Sequence, residues 1–297
     1  MNTATETDVT IIGAGLTGLT LAFYLQKAGK KVTLVEREIR IGGVINTVAE
    51  QGFVYETGPN TGVLANPEIV ELFGDLNGSC ELEKANPLAG NRWIWKNGQW
   101  CPLPAGILSA VLTPLFTAKD KFRILGEPFR PRGKDPFETV AGLVIRRLGV
   151  SYLDYAVDPF ISGIYAGDPS QLVTRFALPK LYNLEQDYGS FILGAFRKQF
   201  HSGDPRDKKA TREVFSVKGG LQKLIGSLGH TVGENNIRSG MHDVTVRPVE
   251  KGFITSGNGR GAVHSEKVIT TTGSYSLPDV LPFIPKEKLG PVTRLKY

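Results

Sequence analysis

Three glycines in the run Gly13-Ala14-Gly15-Leu16-Thr17-Gly18 have the G-x-G-x-x-G spacing, and Glu36 stands 18 residues after the last of them. That constellation can bind a dinucleotide. Gly13 permits a tight turn, Gly15 lets the backbone approach a pyrophosphate, and Gly18 lets a helix pack closely on the preceding strand, with the phosphate charge facing the helix N-terminus. Glu36 would accept a hydrogen bond from the adenosine ribose 2′-hydroxyl, which argues against a cofactor phosphorylated there. A second pair, Gly42-Gly43, offers another close backbone approach to a phosphate or sugar, and a plain β-turn is its other reading. Competing chemistry is sparse. Cys80 and Cys101 make neither a disulfide framework nor a C-x-x-C pair. His201, His230, His242 and His264 are scattered through polar surroundings, so they read as surface residues and no metal site is expected. The chain contains no G-x-S-x-G, H-E-x-x-H or P-loop pattern, and no side-chain acid or base is assigned a catalytic role.

The surrounding elements suit the same purpose. Val9 to Ile12 is a β-branched run that reads as a buried strand feeding the turn, after which Leu19, Ala22, Leu25 and Ala28 recur at helical spacing until Gly29. Lys31 to Val35 then makes a second strand ending at Glu36. Strand, turn, helix, strand is the order of a parallel α/β architecture. With 297 residues, 41% hydrophobic and 22% charged, the chain can fill one large or two ordinary domains, and neither a disordered tail nor a coiled coil fits. The net charge of +6 is spread along the chain without a basic cluster, so nucleic acid is not an expected partner. Met1 to Asp8 is polar and mildly acidic, unlike a signal peptide, which predicts a cytoplasmic product.

The middle of the chain changes character. Asn91 to Trp100 alternates bulky and polar residues around Asn97-Gly98, a hairpin signal, and contains all three tryptophans. They either pack the hairpin on a core or form an amphipathic surface or a pocket wall. Pro102 to Ala118 is nearly uncharged but shorter than a membrane-spanning helix and interrupted by Pro104 and Pro114. Within it Ile107, Leu108, Val111 and Leu112 share one face of a short helix, to be covered by a neighbouring domain or by a bilayer interface, with Lys119, Lys121 and Arg123 close by to favour anionic lipid. Asp135, Pro136 and Glu138 predict a capped helix start with an apolar stripe of Phe137, Val140, Ala141, Val144 and Leu148. Gly149 ends it, and Ser151 with Asp154 predicts a second capping box. Lys267 to Thr271 and Ser274 to Leu281 read as the last strands.

The glycine pair after the ribose acid and the later Glu56-Thr57-Gly58-Pro59 segment resemble the FAD-binding half of the amine oxidase, phytoene desaturase and protoporphyrinogen oxidase group. The stretches PRGKDPFETVAGLVIRRLG, DPFISGIYAGDPSQL and LPKLYNLEQDYGSFILGAF, with Phe215 to Leu221 later, are similar to the protoporphyrinogen oxidase family within that group. The resemblance implies that Gly13, Ala14, Gly15, Leu16, Thr17 and Gly18 bind the FAD pyrophosphate and that Glu36 and Arg37 meet the adenosine ribose. Gly42 and Gly43 join them on the cofactor, Val44 with Gly58, Pro59, Asn60 and Thr61 serves the flavin half, and Val244 touches the adenine. It further implies that Arg92 pairs with a propionate of a tetrapyrrole, a planar charged fork against a carboxylate, and that Gly163 and Gly167 let the backbone approach the ring. A surface arginine and a helix-terminating turn are the alternatives there.

The implied reaction is dehydrogenation of protoporphyrinogen IX or coproporphyrinogen III by successive two-electron transfers to FAD in haem synthesis, with oxygen or another acceptor reoxidising the flavin. Peripheral attachment to the inner face of the cell membrane goes with it, and a homodimer stays open. Another flavin amine oxidase or desaturase, or an inactive FAD-binding fragment, are the competing readings. The expected fold is α/β, a Rossmann-like FAD-binding domain with an inserted, mainly helical, membrane- or substrate-associated domain. Residues 1–90 form its first part, 91–204 the insertion, and 205–297 its second part with the start of a substrate domain. Family members run well past the position of Tyr297, so the sequence is expected to be a C-terminally truncated piece.

Overall fold

The computed structural model describes residues 5–90, 92–104, 107–199, 205–258 and 260–294; Asn91, His201 and the side chains of Ile107, Leu108 and Val111 lie outside the described set. The chain opens with β1 (Thr5–Ile12), α1 (Leu16–Lys27) and β2 (Val32–Val35), continues through the hairpin of β3 (Thr47–Glu50) and β4 (Phe53–Glu56), and adds β5 (Gly62–Val63), α2 (Pro67–Asp75) and β6 (Leu82–Lys84). A second hairpin, β7 (Trp93–Lys96) and β8 (Gln99–Pro102), leads into eight helices: α3 (Ile107–Leu112), α4 (Ala118–Leu125), α5 (Val140–Arg147), α6 (Val150–Tyr152), α7 (Asp158–Tyr165), α8 (Thr174–Ala177), α9 (Pro179–Tyr188) and α10 (Phe191–Gln199). The last third holds β9 (Val214–Val217), α11 (Gln222–Val232), β10 (Ile237–Arg238), β11 (His242–Pro248), β12 (Phe253–Asn258), β13 (Arg260–Thr270), α12 (Leu277–Val280) and α13 (Lys286–Thr293). Two compact units result, Met1–Ala85 with Pro205–Tyr297, and Asn86–Asp204. The first boundary falls before the expected residue 90 because β6 pairs with β9 and the Ala85 amide still donates to Val214 O (2.9 Å).

The first unit is built on a six-stranded sheet in the order β10-β2-β1-β13-β12-β11. Its β10, β2, β1 and β13 are mutually parallel, and β12 and β11 continue it antiparallel. All four residues of β2 are buried, as a parallel strand covered on both faces requires. On that sheet α1 lays Leu19, Ala22 and Phe23, and α11 lays Leu224, Ile225, Leu228 and Val232, in one core with Val9, Ile11, Val32 and Leu34. Each Val, Leu, Ile or Phe among them contributes roughly 1.5–3 kcal/mol by leaving water. The small sheet β5-β9-β6 joins strands from either side of the insertion, so the second pass of the chain closes the unit begun by the first. Ser274 to Leu281 is not the expected strand. It forms a helical turn over Ser274–Ser276 followed by α12, because Pro278 lacks a ladder donor and the Ser276 hydroxyl is committed locally to Gly273 O (2.8 Å).

In the second unit Asn97 (φ +51°) and Gly98 (φ +78°) turn β7 into β8 as the hairpin signal predicts. The pleat sends Ile94 and Cys101 to a core with Leu115 and Phe116, and leaves Trp93, Trp95 and Trp100 at 52%, 58% and 63% exposure. Packing of the tryptophans on a core is therefore corrected to an aromatic surface. The helix expected at Asp135 begins instead at Val140. Asp135 accepts the Phe137 amide (2.8 Å) in a local turn, Thr139 caps the helix by accepting the Gly142 amide (3.1 Å), and Phe137 is exposed. Nor does the second capping box form, since Ser151 lies inside α6, whose cap is Gly149, and Leu153–Val157 continues it as a wide π-helical turn. Gly163 lies inside α7, which ends on a left-handed Ala166 (φ +47°), so the helix-terminating turn comes at Ala166 and Gly167 rather than at Gly163.

A buried ion network explains why the helix starts where it does. Arg147, fully buried, donates to Glu127 Oε1 (2.8 Å), Glu185 Oε1 (2.7 Å) and Gly189 O (2.6 Å). Arg146 forks onto Glu138 (2.8 and 2.7 Å) and Glu185 (2.8 and 3.0 Å), so Glu138 is drawn away from any capping role. The Ser190 hydroxyl and the Phe191 amide complete Glu127. The stretches PRGKDPFETVAGLVIRRLG and LYNLEQDYGS thus meet in one internal network, which Glu127 completes from outside both.

Candidate functional site

The chain leaves β1 and turns at Gly13 with φ +104°, a backbone that L side chains avoid, and its amide donates to Val35 O (2.8 Å), pinning the turn to the end of β2. Gly15 then opens α1. A Cβ on Gly18 would lie 1.9 Å from Gly13 O, so the helix can approach the turn only through glycine. Leu16 and Thr17 are exposed, which leaves the first turn of α1, with its partial positive charge, accessible. Thr271, following β13, donates its hydroxyl to the carbonyls of Ile12 and Gly13 (both 3.1 Å) and so holds the turn from the other side.

A second loop faces the first. The Gly42 amide donates to Ala14 O (2.8 Å), and a Cβ on Gly43 would stand 3.4 Å from the Cα of Gly15, so the two loops meet through glycines. Glu36, at the end of β2, accepts the Ala14 amide on Oε2 (2.7 Å) and the Glu38 amide on Oε1 (2.9 Å), and each oxygen keeps capacity for a further donor such as a ribose hydroxyl. Arg37 is exposed and pairs with Glu38 (3.1 Å). Val44 is exposed, and a Cβ on Gly58 would lie 1.9 Å from its carbonyl oxygen, which brings the Gly58 segment against the second loop. Pro59, Asn60 and Thr61 follow, all exposed. Val244, partly buried on β11, packs between the cluster of Ile12, Val246 and Val280 and that of Val35, Met241 and Val263, at the ends of β1 and β2.

Three side chains contribute through roles that the sequence did not assign. Thr271 is one; Arg40 is a second, since its guanidinium donates to three carbonyls of the glycine-pair loop. Glu56 is the third. It accepts the Leu221 amide (2.7 Å) and the Thr47 hydroxyl (2.8 Å), while Thr47 accepts the Gln222 amide (2.9 Å), so the pair caps α11. A hollow of about 450 Å³ beside this cap is bordered by Tyr55, Asn60, Ser216 and Gly219. From Gly13 through Glu36, Gly43, Val44 and Gly58 the contacts are continuous. They offer an anion cradle, a ribose acid and a glycine-walled approach, which fits an extended dinucleotide such as FAD.

The substrate-side candidates belong to the second unit. Arg92 is exposed at the head of β7, its guanidinium 5.6 Å from the ring centre of Phe160 on α7. That same helix carries Gly163, and Gly167 lies just past its left-handed end, so the structure gathers Arg92, Gly163 and Gly167 around α7. Among the described residues the Arg92 guanidinium has no carboxylate partner. It can therefore take an external one.

Comparison with known proteins adds the lineage. The sequence profile described as flavin containing amine oxidoreductase matches residues 16–297. Protoporphyrinogen oxidase 2, chloroplastic/mitochondrial, of Arabidopsis thaliana is 34% identical over 245 residues, covering 77% of this chain and 48% of that protein. Coproporphyrinogen III oxidase of Bacillus subtilis (strain 168) is 32% identical over 233 residues, covering 73% of this chain and 49% of that protein. A crystal structure from Exiguobacterium sp. 255-15, provisionally named a protoporphyrinogen oxidase, superposes with a TM-score of 0.73 at 23% identity, covering 97% of this chain and 64% of that one. The chain spans about half the length of the curated relatives it matches.

Proposed function

We propose, for a chain that belongs to the flavin-containing amine oxidoreductase family, that it forms the FAD-binding part of an oxidase converting a porphyrinogen to the porphyrin. The reading takes protoporphyrinogen IX or coproporphyrinogen III as substrate, oxygen as the final acceptor, and haem formation as the setting. What carries it is a coincidence: a glycine-walled FAD cradle in one unit, and relatives from plant and bacterium both named for porphyrinogen oxidation.

When bound, FAD supplies the two-electron acceptor for removal of hydrogen from the macrocycle. This chain's residues bind and orient. The first turn of α1 and the facing glycine loop receive the pyrophosphate, Glu36 fixes the ribose, and Val44 with Gly58 borders the flavin half. Arg92 holds a substrate carboxylate in a planar two-point contact, which orients the ring without taking part in proton transfer. Peripheral attachment to the inner face of the cell membrane, in the cytoplasm, belongs to the same reading. The exposed tryptophans of the β7–β8 hairpin support it, and flotation with anionic vesicles tests it.

The deciding experiment is spectroscopic. The purified protein should show a flavin spectrum, release FAD on denaturation, and bleach anaerobically on addition of protoporphyrinogen IX or coproporphyrinogen III. A flavin that dithionite reduces but neither porphyrinogen does would mean that this part lacks a complete substrate site; the same result in the whole oxidase would overturn the substrate assignment and leave the cofactor site standing.

A further inference from the structure

We propose that Arg40 is a positioning residue for the dinucleotide pyrophosphate: its guanidinium locks the Gly42-Gly43-Val44 loop with two amide donors uncommitted beside Gly15, and its own charge remains unneutralised there. The proposal rests on the reading of the glycine turn as a dinucleotide site. Arg40 Nη2 donates to Gly43 O (2.7 Å), and Nη1 donates to Ile45 O (2.6 Å) and Ile41 O (3.2 Å). Three carbonyls at alternate positions of one short loop are thereby turned toward a single cation. The Ile45 amide closes the turn on Gly42 O (3.1 Å), and the Gly42 amide is taken by Ala14 O (2.8 Å). The amides of Gly43 and Val44 find no acceptor among the described residues, and both residues are exposed.

The charge argument is separate from the geometric one. Every hydrogen-bond partner of Arg40 is a neutral oxygen, the three carbonyls and, at 3.5 Å, the side chain of Gln222. Its neighbour Arg37 is by contrast paired with Glu38. A guanidinium stays protonated at every working pH, so Arg40 presents a full positive charge behind a loop whose Gly43 abuts Gly15, the middle glycine of the pyrophosphate turn. Gly42 and Gly43 both hold positive φ, at +111° and +58°, a shape that a tether across their carbonyls helps maintain.

Calorimetric titration of the apoprotein with ADP, adenosine and FAD tests this. ADP reports the pyrophosphate contact, whereas adenosine fills the same end of the site without it. Relative to the unsubstituted protein, R40A should weaken ADP and FAD at least tenfold while adenosine changes less than twofold. R40K, which restores charge but not the planar fork, should fall between. Equal weakening of ADP and adenosine would reveal a merely structural role and overturn the proposal, as would ADP binding unchanged in R40A. If R40A fails to give a folded circular dichroism spectrum, R40K decides alone: a threefold or greater fall in its ADP-to-adenosine preference supports the proposal, and an unchanged preference overturns it. Should the unsubstituted protein bind neither ADP nor FAD, the dinucleotide reading itself fails, an outcome distinct from any of these.

Discussion

Gly18 and Glu36 carry the sharpest consequences of single side chains. Substituting Gly18 by Ala puts a methyl group 1.9 Å from the Gly13 carbonyl oxygen, a backbone atom fixed by β1, so α1 must move. G18A should cost roughly 3 kcal/mol, the upper part of the range for overpacking, and should abolish FAD retention, read as flavin content after gel filtration alongside the thermal midpoint. Glu36→Ala leaves the Ala14 amide without its carboxylate and removes the ribose acceptor. Losing one charge-assisted hydrogen bond is worth about 1.5–3 kcal/mol, so the FAD Kd from fluorescence quenching should rise roughly 10- to 150-fold. These residues were legible in the sequence because a glycine's meaning lies in its missing side chain and the ribose acid lies at a fixed distance along the chain. The roles of Arg40, Thr271 and Glu56 were not, even though Glu56 stands in the segment that carries the family resemblance, since a side chain that serves carbonyls or amides brought near by folding leaves no periodic mark.

Among the elements, the parallel core of β1, α1 and β2 follows from local pattern alone, whereas α5 does not. Asp135 and Glu138 satisfy every local rule for a helix start, yet Arg146, eight residues beyond Glu138, and Glu185 on α9 offer a stronger partnership, so the helix begins at Val140. Truncating Arg147 to Ala would leave Glu127 and Glu185 facing each other without their shared cation, and should cost about 3–5 kcal/mol in denaturant unfolding. The network also predicts a pH dependence. Burial on its own would raise the Glu185 carboxyl, but hydrogen bonds from Arg146, Arg147 and the Gly133 amide outweigh it and hold the group below the ordinary carboxylate range. A carboxyl depressed in the folded state contributes stability above its unfolded value of about 4.3, and that contribution is lost as pH falls through the lower folded value. The denaturant midpoint of this unit should therefore fall below about pH 4.3, while E185Q should be less stable at pH 7 and flatter with acid. An E185Q profile parallel to that of the unsubstituted protein would assign the acid sensitivity elsewhere.

For the whole molecule, the two units differ in what stabilises them, and this makes their unfolding separable by experiment. The first unit holds the glycine turns and the sheet, with a core drawn from its own strands and helices. The second has its own apolar clusters and, in place of a sheet beyond the β7–β8 hairpin, the arginine–glutamate network. Each unit thus has an interior of its own, while only the chain crossings at Ala85–Asn86 and Asp204–Pro205 link them covalently. A ligand that binds the folded state of one unit should raise that unit's transition alone: FAD at one hundred times its Kd adds about 2.7 kcal/mol, or roughly 5–10 °C for a unit of this size. Acid should act on the second unit through Glu185, and E185Q separates that effect from the acid response of the first unit's own depressed carboxyls, Glu71, Asp75 and Glu213. Differential scanning calorimetry should then resolve two transitions, one moved upward by FAD and the other moved downward as the pH falls below about 4.3. A single transition displaced by both treatments would mean that the units unfold as one body, and that occupancy of the cofactor site is felt at the network around Arg147.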